Sequence, residues 1–268
     1  MREARTSRIL AMGGGGFGTG PQDHALDAYV ADLAGNDHPR ICLLPTASGD
    51  PHEQISRFNV TFRRLGCRTS HLSLFRLGDH PIAVRQHLLD QDAIYVGGGS
   101  LLNLIAIWRA HGLDRILDEA WRGGTLLCGV SAGSMCWFEA GITRSHGKPR
   151  PSGGLGFLPG SNSVHYDADP DRRPSFHEHV RRQAIPGGFG VDDGAGLLFE
   201  GTELAEVVTA RPDAGACRVE VRDGALVETR LEARLLEASE HDPAGLDPAL
   251  VELKGLRAAS RPPLGLRR

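Results

Sequence analysis

The chain reads as an α/β protein whose parallel sheet is wrapped by helices, and two observations carry that expectation. Its 268 residues, 40% of them apolar, suffice to bury one large core, or one core with a small appendage. Through the first two-thirds, short apolar runs alternate with stretches of helical spacing, which is the pattern of βαβ units.

Strands are expected at residues 7–12, 40–45, 68–74, 93–96 and 125–130, with helices filling the gaps. Ala25, Tyr29 and Leu33 recur at helical spacing after the first strand, as do Leu101, Leu104, Ile105 and Trp108 after the fourth. From 144 to 171 the pattern dissolves into Gly, Pro, Ser and Asp. A stretch of that length without structure suits a compact domain only where it serves a site, so it reads as an active-site loop. A helix near 174–183 follows, then short strand-like runs at 189–191, 196–199, 203–209, 217–221 and 225–229. The last two are joined by Asp223-Gly224, a hairpin turn pair. One catalytic domain is expected over residues 1–240. Residues 241–268, rich in Pro, Ala and Arg, are expected to be a partly disordered C-terminal tail.

Composition excludes several classes of partner. A net charge of −3 gives no field able to hold nucleic acid or an anionic membrane. No stretch nears the roughly twenty apolar residues of a membrane span, and Arg2, Arg5 and Arg8 precede no uninterrupted apolar run of the kind a leader needs. Cys42, Cys67, Cys128, Cys136 and Cys217 are odd in number and lack any CxxC spacing, so they read as small buried hydrophobes rather than disulfides or zinc ligands. The expectation is a cytoplasmic protein with no metal and no cofactor.

Chemistry concentrates at Gly129-Val130-Ser131-Ala132-Gly133, a G-x-S-x-G between a buried strand and a helix opening on small residues. Small neighbours let the chain turn tightly enough to thrust the Ser131 hydroxyl out at the carboxyl end of the sheet, where open α/β sheets place their sites. The competing role for Ser131 is a simple helix cap. Among twelve histidines, His165 lies in the long Gly/Pro loop, within Ser163-Val164-His165-Tyr166-Asp167, where it can fold over the elbow; a surface histidine is the bland alternative. An acid is offered by Gly190-Val191-Asp192-Asp193-Gly194, although paired acids before glycine also occur in ordinary turns.

In their order and spacing these residues resemble the peptidase family that contains aspartyl dipeptidase (peptidase E) and the cyanophycinases. The resemblance spans about 9–200. It rests on Gly97-Gly98-Gly99 after a strand, the Val130-Ser131-Ala132-Gly133 elbow, Leu155-Gly156-Phe157-Leu158-Pro159-Gly160 leading to His165, and the run 190–194. It implies a flavodoxin-like α/β core related to class I glutamine amidotransferases, with a mostly parallel sheet sandwiched by helices and extra short strands toward the C-terminus. It also implies a Ser-His-Glu triad. Carried over by motif, Ser131 is nucleophile and His165 general base, and the glutamate falls on Asp193, one methylene shorter, with Asp192 in reserve. Gly98 and Gly99 would bring one backbone N–H to the oxyanion and Ala132 the second. The arginine that receives a substrate aspartate in peptidase E falls on Arg172, with Arg173 adjacent. The implied activity is hydrolysis of short peptides, with N-terminal Asp-Xaa dipeptides as its narrower option, so that the partner is a small peptide substrate and a homodimer is left open. The alternatives are a cyanophycinase-like hydrolase of Asp/Arg polymer and a catalytically dead sensor or scaffold.

Rival motifs are weaker. Gly13-Gly14-Gly15-Gly16-Phe17-Gly18 satisfies G-x-G-x-x-G, but the second strand ends at Leu44-Pro45-Thr46 without an acid for a ribose, so the run reads as a flexible loop bordering the site. His177 and His179, two apart on a helix, face different ways and suit no shared metal. The α/β-hydrolase order Ser, acid, His would need a histidine after Asp193, and only His241 qualifies.

Overall fold

A computed structural model describes residues 6–17, 24–78 and 82–237. The expected tail from 241, His241 within it and Gly18 of the glycine run lie outside the described residues. In chain order the elements are β1 (Arg8–Met12), α1 (His24–Ala34), β2 (Arg40–Leu44), α2 (His52–Arg64), β3 (Arg68–His71), α3 (Val84–Leu89) and β4 (Ala93–Val96). Then come α4 (Leu101–His111), α5 (Leu113–Arg122), β5 (Leu126–Val130), α6 (Ala132–Met135), β6 (Phe138–Thr143), β7 (Arg150–Gly153), β8 (Leu158–Val164) and α7 (Arg172–Arg181). Strands β9 (Gly188–Val191), β10 (Ala195–Glu200), β11 (Glu203–Thr209), β12 (Ala216–Arg222), β13 (Ala225–Arg230) and β14 (Arg234–Leu235) complete the described chain.

The first sheet has eight strands in the order β14-β11-β10-β1-β5-β4-β2-β3, and its five strands from β1 to β3 run parallel. The five early strands foreseen in the sequence are all here, because β1, β2, β4 and β5 are buried on both faces and so read as continuous apolar runs. One face packs on α1 and α2 through Leu26, Val30, Phe58 and Phe62. The other packs on α4 and α5 and on the second sheet, through residues such as Leu104, Trp108, Leu117, Phe138 and Phe189. Helix α4 begins where Ser100 Oγ accepts the Asn103 N–H at 3.2 Å, and it buries Leu101, Leu104, Ile105 and Trp108, the stripe read from spacing.

The second sheet, β13-β12-β9-β8-β6-β7, corrects one expectation. Residues 144–171 are not a structureless loop, since β7 and β8 lie within them, and β6 was missed just before. Strand β8 was hidden by composition. Ser161, Asn162 and Ser163 are all fully buried at its centre, so no apolar alternation marks it, and its backbone is paired on both sides, with β6 and β9. Ser161 Oγ donates to the Pro186 carbonyl at 2.6 Å, and Asn162 Nδ2 to Ser134 Oγ at 2.9 Å, which ties this strand to α6. Helix α7 covers the outer face with Phe176 and Val180. The hairpin expected at Asp223-Gly224 is present, both residues having left-handed φ (51° and 78°) as a tight two-residue turn requires. Among the described residues, no helix is long and apolar enough to cross a membrane.

Candidate active site

Ser131 follows β5 directly and precedes α6, with φ 59° and ψ −113°, a conformation that a non-glycine residue adopts only when its surroundings enforce it. The enforcement is visible. Ser131 N–H is held by the Met12 carbonyl at 3.2 Å, while its own carbonyl accepts from Ser134 and Met135, each at 3.0 Å. Gly133 must be glycine here, because a β-carbon would stand 2.2 Å from the Val96 carbonyl oxygen. The hydroxyl does not cap α6. It meets His165 Nε2 at 2.9 Å instead.

His165 directly follows β8 with φ 52°, and its other ring nitrogen, Nδ1, lies 2.6 Å from Asp193 Oδ1. The loop is pinned on either side of the imidazole, by Tyr166 N–H on the Val191 carbonyl at 3.1 Å and Asp169 N–H on the His165 carbonyl at 3.0 Å. With a proton on Nδ1 bonded to the carboxylate, Nε2 is left as acceptor for the serine hydroxyl. An arrangement of this kind can withdraw the serine proton as Oγ attacks a carbonyl.

Of the paired acids, only Asp193 reaches the histidine. Asp192 points the other way, is 5% exposed, and accepts from Gly215 N–H and Arg230 Nη1, both at 3.0 Å. Burial pushes its carboxyl above the ordinary value, with Arg230 and the Gly215 N–H pulling against that rise. Asp193 sits on the turn between β9 and β10 and forms a bridge with Gly14.

The glycine run after β1 borders the site as expected, and its first two residues, Gly13 and Gly14, are tied down by hydrogen bonds. Gly13 N–H bonds the Ala195 carbonyl at 2.9 Å, and the Gly14 carbonyl accepts Gly194 N–H at 3.1 Å. A β-carbon on Gly14 would come 1.8 Å from Asp193 Oδ1 and 2.7 Å from His165 Nδ1. Across the site, a β-carbon on Gly98 would be 3.2 Å from that of Ser131. The N–H groups on either side of this stretch are used, Gly97 on Leu44 at 3.1 Å and Ser100 on Ala47 at 2.8 Å. Those of Gly98 and Gly99 have no acceptor among the described residues.

Arg172 is not gathered into this constellation. Its side chain is 6% exposed and donates to Asp169 Oδ2 at 3.1 Å and to the Ile142 carbonyl. Arg173 pairs with Glu228 over the Tyr166 ring. His177 joins that same cluster, with Nε2 2.5 Å from Glu228, and its neighbour His179 is not part of it. Among the described residues, no group of His, Cys, Asp or Glu is arranged to hold a metal ion. A cavity of about 780 Å³ between the second sheet and the β10–β11 turn is lined by Glu139, Phe189, Arg218 and Glu220 among others, and by none of Ser131, His165 or Asp193.

Two residues beside the acid escaped sequence reasoning. Asp167, inside the very run that singled out His165, accepts Asp193 N–H at 2.8 Å, and Arg211 donates to the same carboxylate at 2.7 Å. Nothing in the sequence marks Arg211, which arrives from the end of β11.

Comparison with known proteins gives a consistent result. The profile of peptidase family S51 matches residues 9–207. The uncharacterized peptidase YgaJ of Bacillus subtilis is 42% identical over 229 residues, covering 85% of this chain and 99% of that one. Peptidase E of Streptomyces coelicolor is 27% identical over 195 residues, 69% of this chain and 76% of the relative. Among solved structures, a peptidase from an acI-B1 Actinobacterium superposes with a TM-score of 0.64 at 19% identity, over 86% of this chain and 96% of that one. A putative peptidase E from Listeria monocytogenes EGD-e does so with a TM-score of 0.52 at 15% identity, over 85% and 100%. The fold is thus the flavodoxin-like, glutamine amidotransferase-like α/β architecture of these peptidases.

Proposed function

The chain belongs to peptidase family S51, and on that premise we propose that it is a serine peptidase hydrolysing short peptides through an acyl-enzyme on Ser131. The observation that carries this reading is the continuous chain from Ser131 Oγ to His165 Nε2 at 2.9 Å and from His165 Nδ1 to Asp193 Oδ1 at 2.6 Å. A contact that short supports Asp193 in the role a glutamate would fill, despite its shorter side chain.

In the reaction, Ser131 Oγ attacks the scissile carbonyl as its proton passes to His165 Nε2. The oxyanion is met by backbone N–H groups of Gly98 or Gly99 and of Ala132. Asp193 steadies the imidazolium, which gives its proton to the leaving amine and so releases it. Water then takes the place of the amine. His165 removes its proton as it attacks the ester, and the second tetrahedral species collapses to the free acid and Ser131, whose proton His165 returns.

A preference for N-terminal aspartate is the narrower form of this reading, and it rests on Arg172. A substrate carboxylate would reach that guanidinium by taking the place of Asp169, which Arg144 already holds through two hydrogen bonds of 2.6 Å. Neutral dipeptides need no such exchange.

A dipeptide library containing Asp-Leu and Ala-Leu, assayed for amine release by wild type and by Ser131→Ala, tests both forms. The variant is expected to lose more than about a thousandfold in kcat. Residual turnover within tenfold of wild type would sink the serine mechanism.

A further inference from the structure

The base and the acid come from separate segments, the loop after β8 and the turn after β9, and one carboxylate joins them. Asp167 is two residues beyond His165 on the same loop. Its Oδ1 accepts the backbone N–H of Asp193 at 2.8 Å, and its Oδ2 accepts Arg211 Nη2 at 2.7 Å. Arg211 is itself anchored: its N–H bonds Thr209 Oγ1 at 3.2 Å, and Thr209 Oγ1 returns a bond to the Arg211 carbonyl at 2.7 Å. Its side chain lies across the acid's turn, so that a β-carbon on Gly194 would be 3.2 Å from Arg211 Nε.

We propose that Asp167 and Arg211 are a positioning pair for the hydrolytic reaction: Asp167 fixes Asp193 against His165 through the Asp193 backbone, and Arg211 neutralises the charge that Asp167 thereby brings to the site. The proposal rests on the serine mechanism above. It differs from a plain surface ion pair in what each half does. The pair is about one-third exposed, with side-chain exposures of 29% for Arg211 and 35% for Asp167, and such pairs contribute little to stability. Their leverage is geometric and electrostatic. Burial pushes the Asp167 carboxyl up, but bonds from the Asp193 N–H and Arg211 outweigh it and hold the group below its ordinary value, so it is an anion at neutral pH. One carboxylate, Asp193, thus bonds the imidazole, and a second, Asp167, bonds that residue's backbone with Arg211 as its counter-ion.

Other charged groups lie around this centre without bonding it, Arg172 and Asp192 acting on Asp193 and Asp167 through their charge alone. Asp213 lies 3.9 Å from Arg211, Asp192 with Arg230 stands behind the turn, and Arg172, Asp169 and Arg144 come from the start of α7 and the end of β6. None of them changes among the variants below, so their fields cancel in the comparison.

The two halves predict opposite signs. Asp167→Asn keeps an oxygen for the Asp193 N–H but removes a negative charge, leaving Arg211 uncompensated, so the imidazolium becomes less stable and the acid limb of kcat/KM moves down. Arg211→Met leaves Asp167 uncompensated and moves the same limb up. Each shift is expected to be about half a pH unit for a unit charge removed near a partly solvated site. Asp167→Ala, which also loses the acceptor, is expected to lower kcat roughly ten- to a hundredfold with KM little changed, whereas Asp167→Asn retains most of kcat.

The experiment is a pH profile of kcat and kcat/KM for wild type and these variants on the best library dipeptide, with thermal melts to confirm folding and Ser131→Ala run alongside. Opposite displacements of the acid limb, with kcat rescued by asparagine over alanine, establish the pair. Displacements of the same sign, or none, or an Asp167→Ala kcat within twofold of wild type, overturn it. Should Asp167→Ala fail to fold, the signs for Asp167→Asn and Arg211→Met decide alone. An active Ser131→Ala enzyme would instead remove the serine mechanism itself, so the two failures are distinguishable.

Discussion

Gly14 and Asp193 approach so closely that a β-carbon on the glycine would stand 1.8 Å from the Asp193 carboxylate. The main chain after β1 is thus the wall against which the His165–Asp193 hydrogen bond is set. Gly14→Ala is expected to push the carboxylate away from the ring and to lower kcat/KM by roughly a hundredfold, since a displacement of about 1 Å at a reacting group costs on that order. Steady-state kinetics with a parallel melt check this. A fully active Gly14→Ala enzyme would show that the close approach is not needed.

Asp193 and Asp192 are neighbours with separate contacts, the first on His165 and the second on Gly215 and Arg230. Asp193→Ala is expected to lower kcat by about a thousandfold or more while leaving the fold intact. Asp192→Ala is expected to keep turnover and lower stability by about 1–3 kcal/mol, because it strips the buried Gly215 N–H and Arg230 of their acceptor. Combined with His165→Ala, Asp193→Ala should add little further loss, as members of one proton-handling unit do. Denaturant titrations and kcat for the single and double variants separate these outcomes, and additive losses in log kcat would dissolve the unit.

Most of the candidate site is legible in the sequence because the groups that the fold brings together, Ser131, His165 and Asp193, sit beside strong sequence patterns. Ser131 is flagged by a buried apolar strand running into small residues, and Asp193 by an apolar strand running into a glycine turn. His165 does lie on a loop, but a short one: the segment leading to it is β8, a strand whose buried Ser161, Asn162 and Ser163 carry no apolar alternation. The choice between Asp192 and Asp193 depends on which face of a turn each side chain takes, a tertiary property. Arg211 is invisible for the same reason, since it meets Asp167 across 44 residues of chain. Arg172 matched by position, but its commitment to Asp169 and the Ile142 carbonyl could come only from packing.

Arg172 also gives a direct test of substrate choice. Arg172→Met is expected to lower stability, because Asp169 and the Ile142 carbonyl lose a donor in a buried place. If the narrower, aspartate-selective reading holds, the variant also loses about thirtyfold or more in kcat/KM on Asp-Leu relative to Ala-Leu. Equal losses on both substrates leave only the broader short-peptide activity.

Glu228 sets an acid limit on stability. Burial pushes its carboxyl up, but bonds from Arg173, Tyr166 and His177 outweigh this and hold it at about 2. A carboxyl depressed in the folded state stabilises fully above its unfolded value and loses that contribution as pH falls through the folded one. The window is therefore from about 4.5 down to about 2. Glu228→Gln is expected to be less stable than wild type at neutral pH and to show a shallower decline across that window, as read from denaturant midpoints. Parallel declines for the two proteins would mean that other carboxylates govern acid unfolding.

The central claim is that Ser131 is a nucleophile activated by His165. Its most direct test is intact-mass and peptide mapping after exposure to a fluorophosphonate, using wild type, Ser131→Ala and His165→Ala. One adduct on Ser131 of the wild type, none on Ser131→Ala, and labelling slowed by about a hundredfold or more in His165→Ala are predicted. An unlabelled wild type that still releases amine from dipeptides, or an adduct that persists in Ser131→Ala, would contradict it.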